Sequence, residues 1–356
     1  MSKTHNFFAG PAILPQEVLI EASSSALRYQ DGLSLMEMSH RSKPLADVFA
    51  EASSLVEELL GVPKEYKVLF LTGGASSQFY MAPMNFLGAN ETAGYIDTGT
   101  WATKAIKEAK IFGNIDVIAS SRDKNYNYIP KGYDIPDGLK YLHITSNNTI
   151  TGTQIQEFTE YKSRLICDMS SDIFSRSFDV SKFDLIYAGA QKNLGPSGVT
   201  LVIVKKDIVG KMDRDIPTML NYQTHIDKDS MFNTPPTFPV YVCLLTLRWI
   251  KKLGGLQAMA KRNAEKASLL YGEIDRNPFF KGTVEKEDRS KMNISFLLND
   301  ENLNEKFLEA ATKANIVGIK GHRSVGGFRA STYNAMDLES VQALVDVMQN
   351  FENKNG

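Results

Sequence analysis

The sequence predicts an α/β protein with two domains: a large one built on a mainly parallel sheet, and a smaller α+β one toward the C-terminus. Three observations carry this. Short apolar runs alternate with helical or loop segments through the first two thirds of the chain, a long helical stretch follows, and the last third mixes helices with a strand-like run. Short buried strands spaced by helices are what a parallel sheet covered on both faces requires.

Taken in order, residues 15–29 read as a helix and residues 44–60 as another. In the second, Leu45, Val48, Phe49, Leu55, Val56 and Leu59 fall at helical spacing and Gly61 serves as the stop. Tyr66–Leu71 reads as a strand that runs into the glycine turn Thr72-Gly-Gly-Ala-Ser-Ser77 and then a helix. Further strand-like runs fall at 92–96, 115–118, 141–144, 164–167, 185–188 and 200–204, making a seven-stranded sheet. Residues 241–274 are long and helical, interrupted at Gly254-Gly255. A strand at 292–298, a helix at 302–314 and a final helix at 338–351 complete the smaller domain, and the polar tail 350–356 reads as poorly ordered. The domains expected are 16–255 for the large unit, and 256–356 with the N-terminal segment 1–15 for the small one.

Forty basic against forty-one acidic residues leave a formal charge of -1, so nothing favours nucleic acid or an anionic membrane as a general partner, and any anion site must be local. The two cysteines, Cys167 and Cys243, sit among apolar residues, which suits a reduced cytoplasmic home better than a disulfide framework. The N-terminus lacks the basic start and apolar core of a secretory signal, and no run approaches the roughly 18 apolar residues of a membrane span.

The chemistry concentrates around Lys192. In Phe183-Asp-Leu-Ile-Tyr-Ala-Gly-Ala-Gln-Lys192-Asn-Leu-Gly-Pro-Ser-Gly, an apolar strand ends in small residues before a Gly/Pro turn. A lysine held there is partly desolvated, which lowers the ammonium pKa and frees the amine to condense with an aldehyde. Alone it better fits a lysine that snorkels from a strand end. Asp168, in Leu165-Ile-Cys-Asp168-Met-Ser-Ser-Asp172, ends another apolar strand, and adjacent parallel strands bring such ends together where α/β sheets bind ligands. A carboxylate at that place could hold a pyridine nitrogen protonated, or merely cap a turn. Thr72-Gly-Gly-Ala-Ser-Ser77 suits a phosphate at a helix N-terminus, though it is neither Walker A nor GxGxxG and also fits a plain turn. Trp101, after Gly99-Thr100, could stack on an aromatic cofactor or pack in a core.

Longer stretches add a family resemblance over almost the whole chain. Asn6-Phe-Phe-Ala-Gly-Pro-Ala-Ile-Leu-Pro15, Met38-Ser-His-Arg41-Ser, Leu71-Thr-Gly-Gly-Ala-Ser-Ser-Gln-Phe79, Gly99-Thr-Trp101, Tyr187-Ala-Gly-Ala-Gln-Lys-Asn193, Phe232-Asn-Thr-Pro-Pro-Thr237 and Gly321-His-Arg-Ser-Val-Gly-Gly-Phe-Arg-Ala-Ser-Thr-Tyr-Asn-Ala335 resemble the phosphoserine aminotransferases, class V aminotransferases of PLP-dependent fold type I. The resemblance implies pyridoxal 5'-phosphate as cofactor and Lys192 as its Schiff-base lysine. It implies Asp168 beside the pyridine nitrogen, Trp101 stacked on the ring, Thr149 near the ring hydroxyl, and Ala75, Ser76 and Gln191 around the phosphate. Asn233 and Thr234 would reach that phosphate from a neighbouring subunit, which implies a homodimer with shared active sites. His40, Arg41, His322, Arg323 and Arg329 would bind the substrates, glutamate and 3-phosphohydroxypyruvate, through paired hydrogen bonds to their anionic groups. Use of the related phosphorylated precursor in pyridoxine synthesis stays open. Ser76 stands where some members carry arginine, so that contact to the distal anion is missing or supplied by another residue.

Three rivals follow from the same residues. Another fold type I enzyme, such as an alanine-glyoxylate aminotransferase, shares the cofactor residues. A cysteine desulfurase needs a reactive cysteine in a mobile loop, which neither Cys167 nor Cys243 provides. A non-catalytic anion-binding module has no need of Lys192, Asp168 and Trp101 together.

Overall fold

The structure, a computed structural model, describes residues 3–356; Met1 and Ser2 of the N-terminal segment lie outside the described residues. In chain order the described elements begin with β1 (His5–Asn6), α1 (Gln16–Leu27), α2 (Lys43–Leu60), β2 (Tyr66–Leu71), α3 (Gly74–Phe86), β3 (Thr92–Asp97) and α4 (Thr100–Ala109). Next come β4 (Asn114–Ser120), β5 (Leu142–Thr145), β6 (Leu165–Asp168), β7 (Leu185–Gly189), β8 (Thr200–Lys205), α5 (Tyr222–Asp227), α6 (Thr237–Lys252) and α7 (Gly255–Arg276). The chain finishes with β9 (Phe280–Gly282), β10 (Asn293–Leu298), α8 (Asn304–Lys313), β11 (Ile316–Val317), β12 (Phe328–Ser331) and α9 (Leu338–Asn355).

The expected seven-stranded, mainly parallel sheet is present, in the order β2-β8-β7-β6-β5-β3-β4. Only β8 runs against its neighbours, pairing antiparallel with both β2 and β7. The reason is the connection. Residues 190–199 form a turn too short for the crossover that a parallel return needs, so the chain folds straight back.

Both faces of the central strands are covered, which is why these are apolar rather than alternating, whereas the edge strand β4 is partly exposed and carries Asn114 and Asp116. Ile144, Cys167, Ile186 and Ala188 point to one side, into a core shared with α2 and α6. Tyr95, Ile166, Leu185 and Tyr187 point to the other, against Phe79 and Phe86 of α3 and Ala105 and Ala109 of α4. Pro44 at the start of α2 and the left-handed Gly61 (φ 63°) at its end bound that helix as the sequence predicts.

A second core lies around the three-stranded antiparallel sheet β12-β10-β9. Its centre is aromatic: Phe307 meets Phe280 at 5.1 Å, Phe328 at 4.9 Å and Phe351 at 5.3 Å between ring centroids. β1 pairs with β11, so the N-terminal segment joins this core through Phe7.

Two expectations are corrected. The helical stretch expected at 241–274 starts earlier, at Thr237; its expected interruption at Gly254-Gly255 is present, with Gly254 in the left-handed region (φ 99°) between α6 and α7. The tail expected to be poorly ordered is helical to Asn355. Met348 and Phe351 continue the buried face of α9, and the Asn355 side chain donates to the Phe351 carbonyl at 2.6 Å.

Candidate active site

The C-terminal ends of β3, β5, β6 and β7 lie along one edge of the sheet, with Thr145 opposite Asp168 and Asp168 opposite Tyr187. Lys192 follows β7 in the reversing turn and is 9% exposed. Its Nζ donates to Thr149 Oγ1 at 2.8 Å and to Ser171 Oγ at 2.7 Å, and lies 5.6 Å from the centroid of Trp101. Burial lowers its pKa to about 8; the Asp168 carboxylate opposes that shift and the Arg329 guanidinium adds to it. An amine so placed is still mainly protonated near neutrality, yet it offers far more free amine than an ordinary lysine, as condensation with an aldehyde demands.

Asp168 is buried and accepts from the Ser170 amide at 2.9 Å. Burial raises its pKa, against the pull of Ser170 and Lys192. Asp172 is better supported: Ser146 and Gln154 donate to it, the latter at 3.0 Å, and Arg176 lies 3.7 Å away. Beneath Asp168, on the same sheet face, His143 bonds Tyr187 Oη at 2.9 Å and stacks on Tyr95 at 4.8 Å. Burial alone pushes its pKa down to about 3, so it is neutral.

At the start of α3, Gly73 adopts φ 96°, and a Cβ there would lie 2.7 Å from Ser77 Oγ. Only glycine fits, and the opening leaves the amides at the helix N-terminus free for an anion. Ala75 is half-buried and Ser76 exposed in that first turn. Trp101 opens α4, its indole N–H buried without a partner. Gln191 is half-buried beside Lys192, its carbonyl accepting from Ala12 at 2.9 Å. These residues fit pyridoxal phosphate: a low-pKa amine for the aldehyde, an indole face for the ring, a buried carboxylate short of a cation for the pyridine nitrogen, and a glycine-opened helix start for the phosphate.

Arg329, on β12, is half-buried and donates to the Thr149 carbonyl at 3.3 Å, so it reaches the same centre from the small unit. His322 and Arg323 share with Arg329 and Phe8 the lining of a cleft of about 640 Å³. The remaining expected residues stand apart. His40 is buried with Nε2 unpartnered, while Arg41, Asn233 and Thr234 are exposed. Among the described residues no hydrogen bond, ion pair or ring contact joins these four to Lys192, Asp168 or Trp101.

Sequence reasoning missed Ser171, which holds Lys192 together with Thr149, and the asparagines around them. Ser171 bonds the amine directly, and Thr149 and Ser171 bond each other at 2.6 Å. Three buried asparagines then tie the turn after β7 and the loop after β6 to α7 and the segment after β12. Asn193 donates to the Ser171 carbonyl at 3.1 Å and accepts from the Asn334 amide at 3.0 Å. Asn334 donates to the Phe174 carbonyl at 3.0 Å and accepts from Asn263 at 2.8 Å, and Asn263 also donates to the Ser175 carbonyl at 3.1 Å. The signal available was three asparagines placed beside chemistry-bearing or apolar residues, where an unbonded amide would be costly.

With this geometry in view, the chain can be set beside known proteins. The model of the family described as aminotransferase class-V matches residues 4–344. The phosphoserine aminotransferase of Parabacteroides distasonis is 58% identical over 356 residues, covering 99% of this chain and 100% of the relative. The solved phosphoserine aminotransferase from Bacillus circulans subsp. alkalophilus superposes with a TM-score of 0.97 at 50% identity, covering 99% of each chain. The pyridoxal-phosphate-bound phosphoserine aminotransferase from Trichomonas vaginalis gives 0.93 at 36% identity, over 98% of this chain and 100% of that one.

Proposed function

The chain belongs to the class V aminotransferase family, and from that premise we propose that it moves an amino group from L-glutamate to 3-phosphohydroxypyruvate, giving O-phospho-L-serine and 2-oxoglutarate, with pyridoxal 5'-phosphate as cofactor. The observation that carries the chemistry is the Lys192 amine, buried, lowered to a pKa of about 8 and bracketed by Asp168 and Trp101. The substrate rests on phosphoserine aminotransferases that match this chain end to end at more than half identity.

When bound, pyridoxal phosphate supplies an electron sink that acidifies the α-hydrogen of an attached amino acid. Lys192 Nζ is the group that takes and returns that proton, held by the Thr149 and Ser171 hydroxyls. Asp168 would hold positive charge at the ring nitrogen, Trp101 would cover the ring, and Ala75, Ser76 and Gln191 would hold the phosphate. Arg329 binds the substrate carboxylate and His322 and Arg323 the distal anion.

The finer reading includes a homodimer. Asn233 and Thr234 of the partner subunit would complete the phosphate site, and His40 and Arg41 of the partner subunit the substrate site; their exposure, or unpartnered burial for His40, supports this. Domains at 16–255 and at 256–356 with 1–15, a cytoplasmic home and use of the phosphorylated pyridoxine precursor belong to the same reading. Two buried free cysteines support the reduced compartment. Among the described residues no helix is long and apolar enough to cross a membrane. Against a desulfurase, burial raises both thiols, Cys167 well above its usual value.

The purified protein should carry a visible absorbance band with pyridoxal phosphate, removed by borohydride and missing in Lys192→Ala. In single half-reactions phosphoserine should outpace serine and alanine. A colourless protein that cannot be reconstituted would sink the cofactor reading, and alanine reacting as fast as phosphoserine would sink the substrate.

A further inference from the structure

Positive charge gathers at the mouth of the site without acid groups to balance it. Arg329 and Arg323 reach it from the small unit. From the large unit comes Lys104, one turn beyond Trp101 on α4 and exposed. Among the described residues none of these three has a carboxylate partner, whereas Arg248, Lys251 and Lys252 on α6 are all ion-paired.

Lys104 Nζ lies 4.6 Å from the centroid of the Trp101 ring, and Lys192 Nζ lies 5.6 Å from the same centroid. The two amines are therefore no further apart than those distances added together. A contact with an aromatic face steadies an ammonium ion without neutralising it, so the charge stays available. His322 feels that charge: burial lowers its pKa most, and Arg329, Arg323 and Lys104 lower it further. Lys104, held over Trp101 on α4, is thus near enough for its charge to act on His322. At the start of α3, Ser76 offers only a neutral hydroxyl.

We propose that Lys104 is a specificity-determining residue that binds the phosphate of the substrate, together with His322 and Arg323. The proposal rests on the reading of this chain as an aminotransferase for a phosphorylated amino acid. Unpaired cations converging on one mouth repel each other until an anion arrives, and a phosphate dianion satisfies more of them than a carboxylate can. A compact, strongly hydrated ammonium on a flexible stem suits a phosphate that enters and leaves each cycle.

The test uses the holoenzyme and two variants. Lys104→Met keeps an alkyl chain over Trp101 and removes the charge; Lys104→Arg restores the charge. The reading is the ratio of kcat/KM for O-phospho-L-serine to that for L-serine, together with the inhibition constant of inorganic phosphate. Lys104→Met should lower the ratio about tenfold or more and weaken phosphate inhibition in step, as loss of a charged hydrogen bond does. Lys104→Arg should recover most of both. A ratio that stays within twofold of wild type in Lys104→Met, or a loss that falls equally on both substrates, overturns the assignment. A wild type that does not prefer phosphoserine to serine overturns the underlying reading instead, before any variant is compared.

Discussion

The surroundings of Lys192 make its ammonium easier to deprotonate, and the sign of each neighbour can be tested. Burial takes its pKa from 10.5 to about 8; Asp168 and Asp172 push it up and Arg329 pushes it down. The folded chain therefore binds fewer protons than the unfolded chain between about pH 8 and 10.5. Below that window the buried charge carries its full cost, and the cost is relieved as pH rises through it. In the apoprotein, the rate at which Lys192 is acetylated should titrate with a midpoint about pH 8. Asp168→Asn should move the midpoint down and Arg329→Leu should move it up. Peptide-resolved mass spectrometry reads this, and a wild-type midpoint above 10 would refute the account. Lys192, Asp168, Trp101 and Thr149 were legible in the sequence because their motifs are specific. Ser171 was not, since a serine in a polar turn has the same composition whether it caps the turn or holds a lysine. Only the pairing of β6 with β7 brings it beneath the amine.

At the scale of elements, the asparagine ladder joins the turn after β7, the loop after β6, helix α7 and the segment after β12. Each buried amide orphaned by truncation costs about 1–3 kcal/mol. Asn334→Ala removes the bond to the Phe174 carbonyl and the one from Asn263 together. It should lower the stability measured by urea unfolding by about 2–4 kcal/mol, and a loss under about 0.5 kcal/mol would mean that the ladder contributes little. Strand positions were legible here because buried strands are continuously apolar. The tail was not, because its sequence turns polar just where one remaining buried face, ending at Phe351, still suffices to keep a helix wound.

For the whole molecule, the separation of His40, Arg41, Asn233 and Thr234 from the Lys192 centre makes the dimer the feature most open to test. If sites are shared, a subunit lacking Lys192 still lends its Asn233 and Thr234 to the other. Inactive Lys192→Ala and Asn233→Ala/Thr234→Ala proteins, unfolded and refolded together, should regain about a quarter of wild-type activity by random pairing into two-fold dimers. No recovery, with mixed dimers demonstrated by mass, would show that each chain builds its own site. Such a partnership lies beyond what composition and periodicity express, since they report where a residue sits along its own chain.

The reversing turn between β7 and β8 has one more consequence, for the history of such a chain. β8 is hydrogen-bonded on both sides and its two faces feed two different cores. Gaining or losing a single residue between 190 and 199 would either slide β8 by one position, turning its side chains to the wrong faces, or displace the lysine from its aspartate. Length can drift in the exposed loop at 131–140, but here substitution is the only change open to descent.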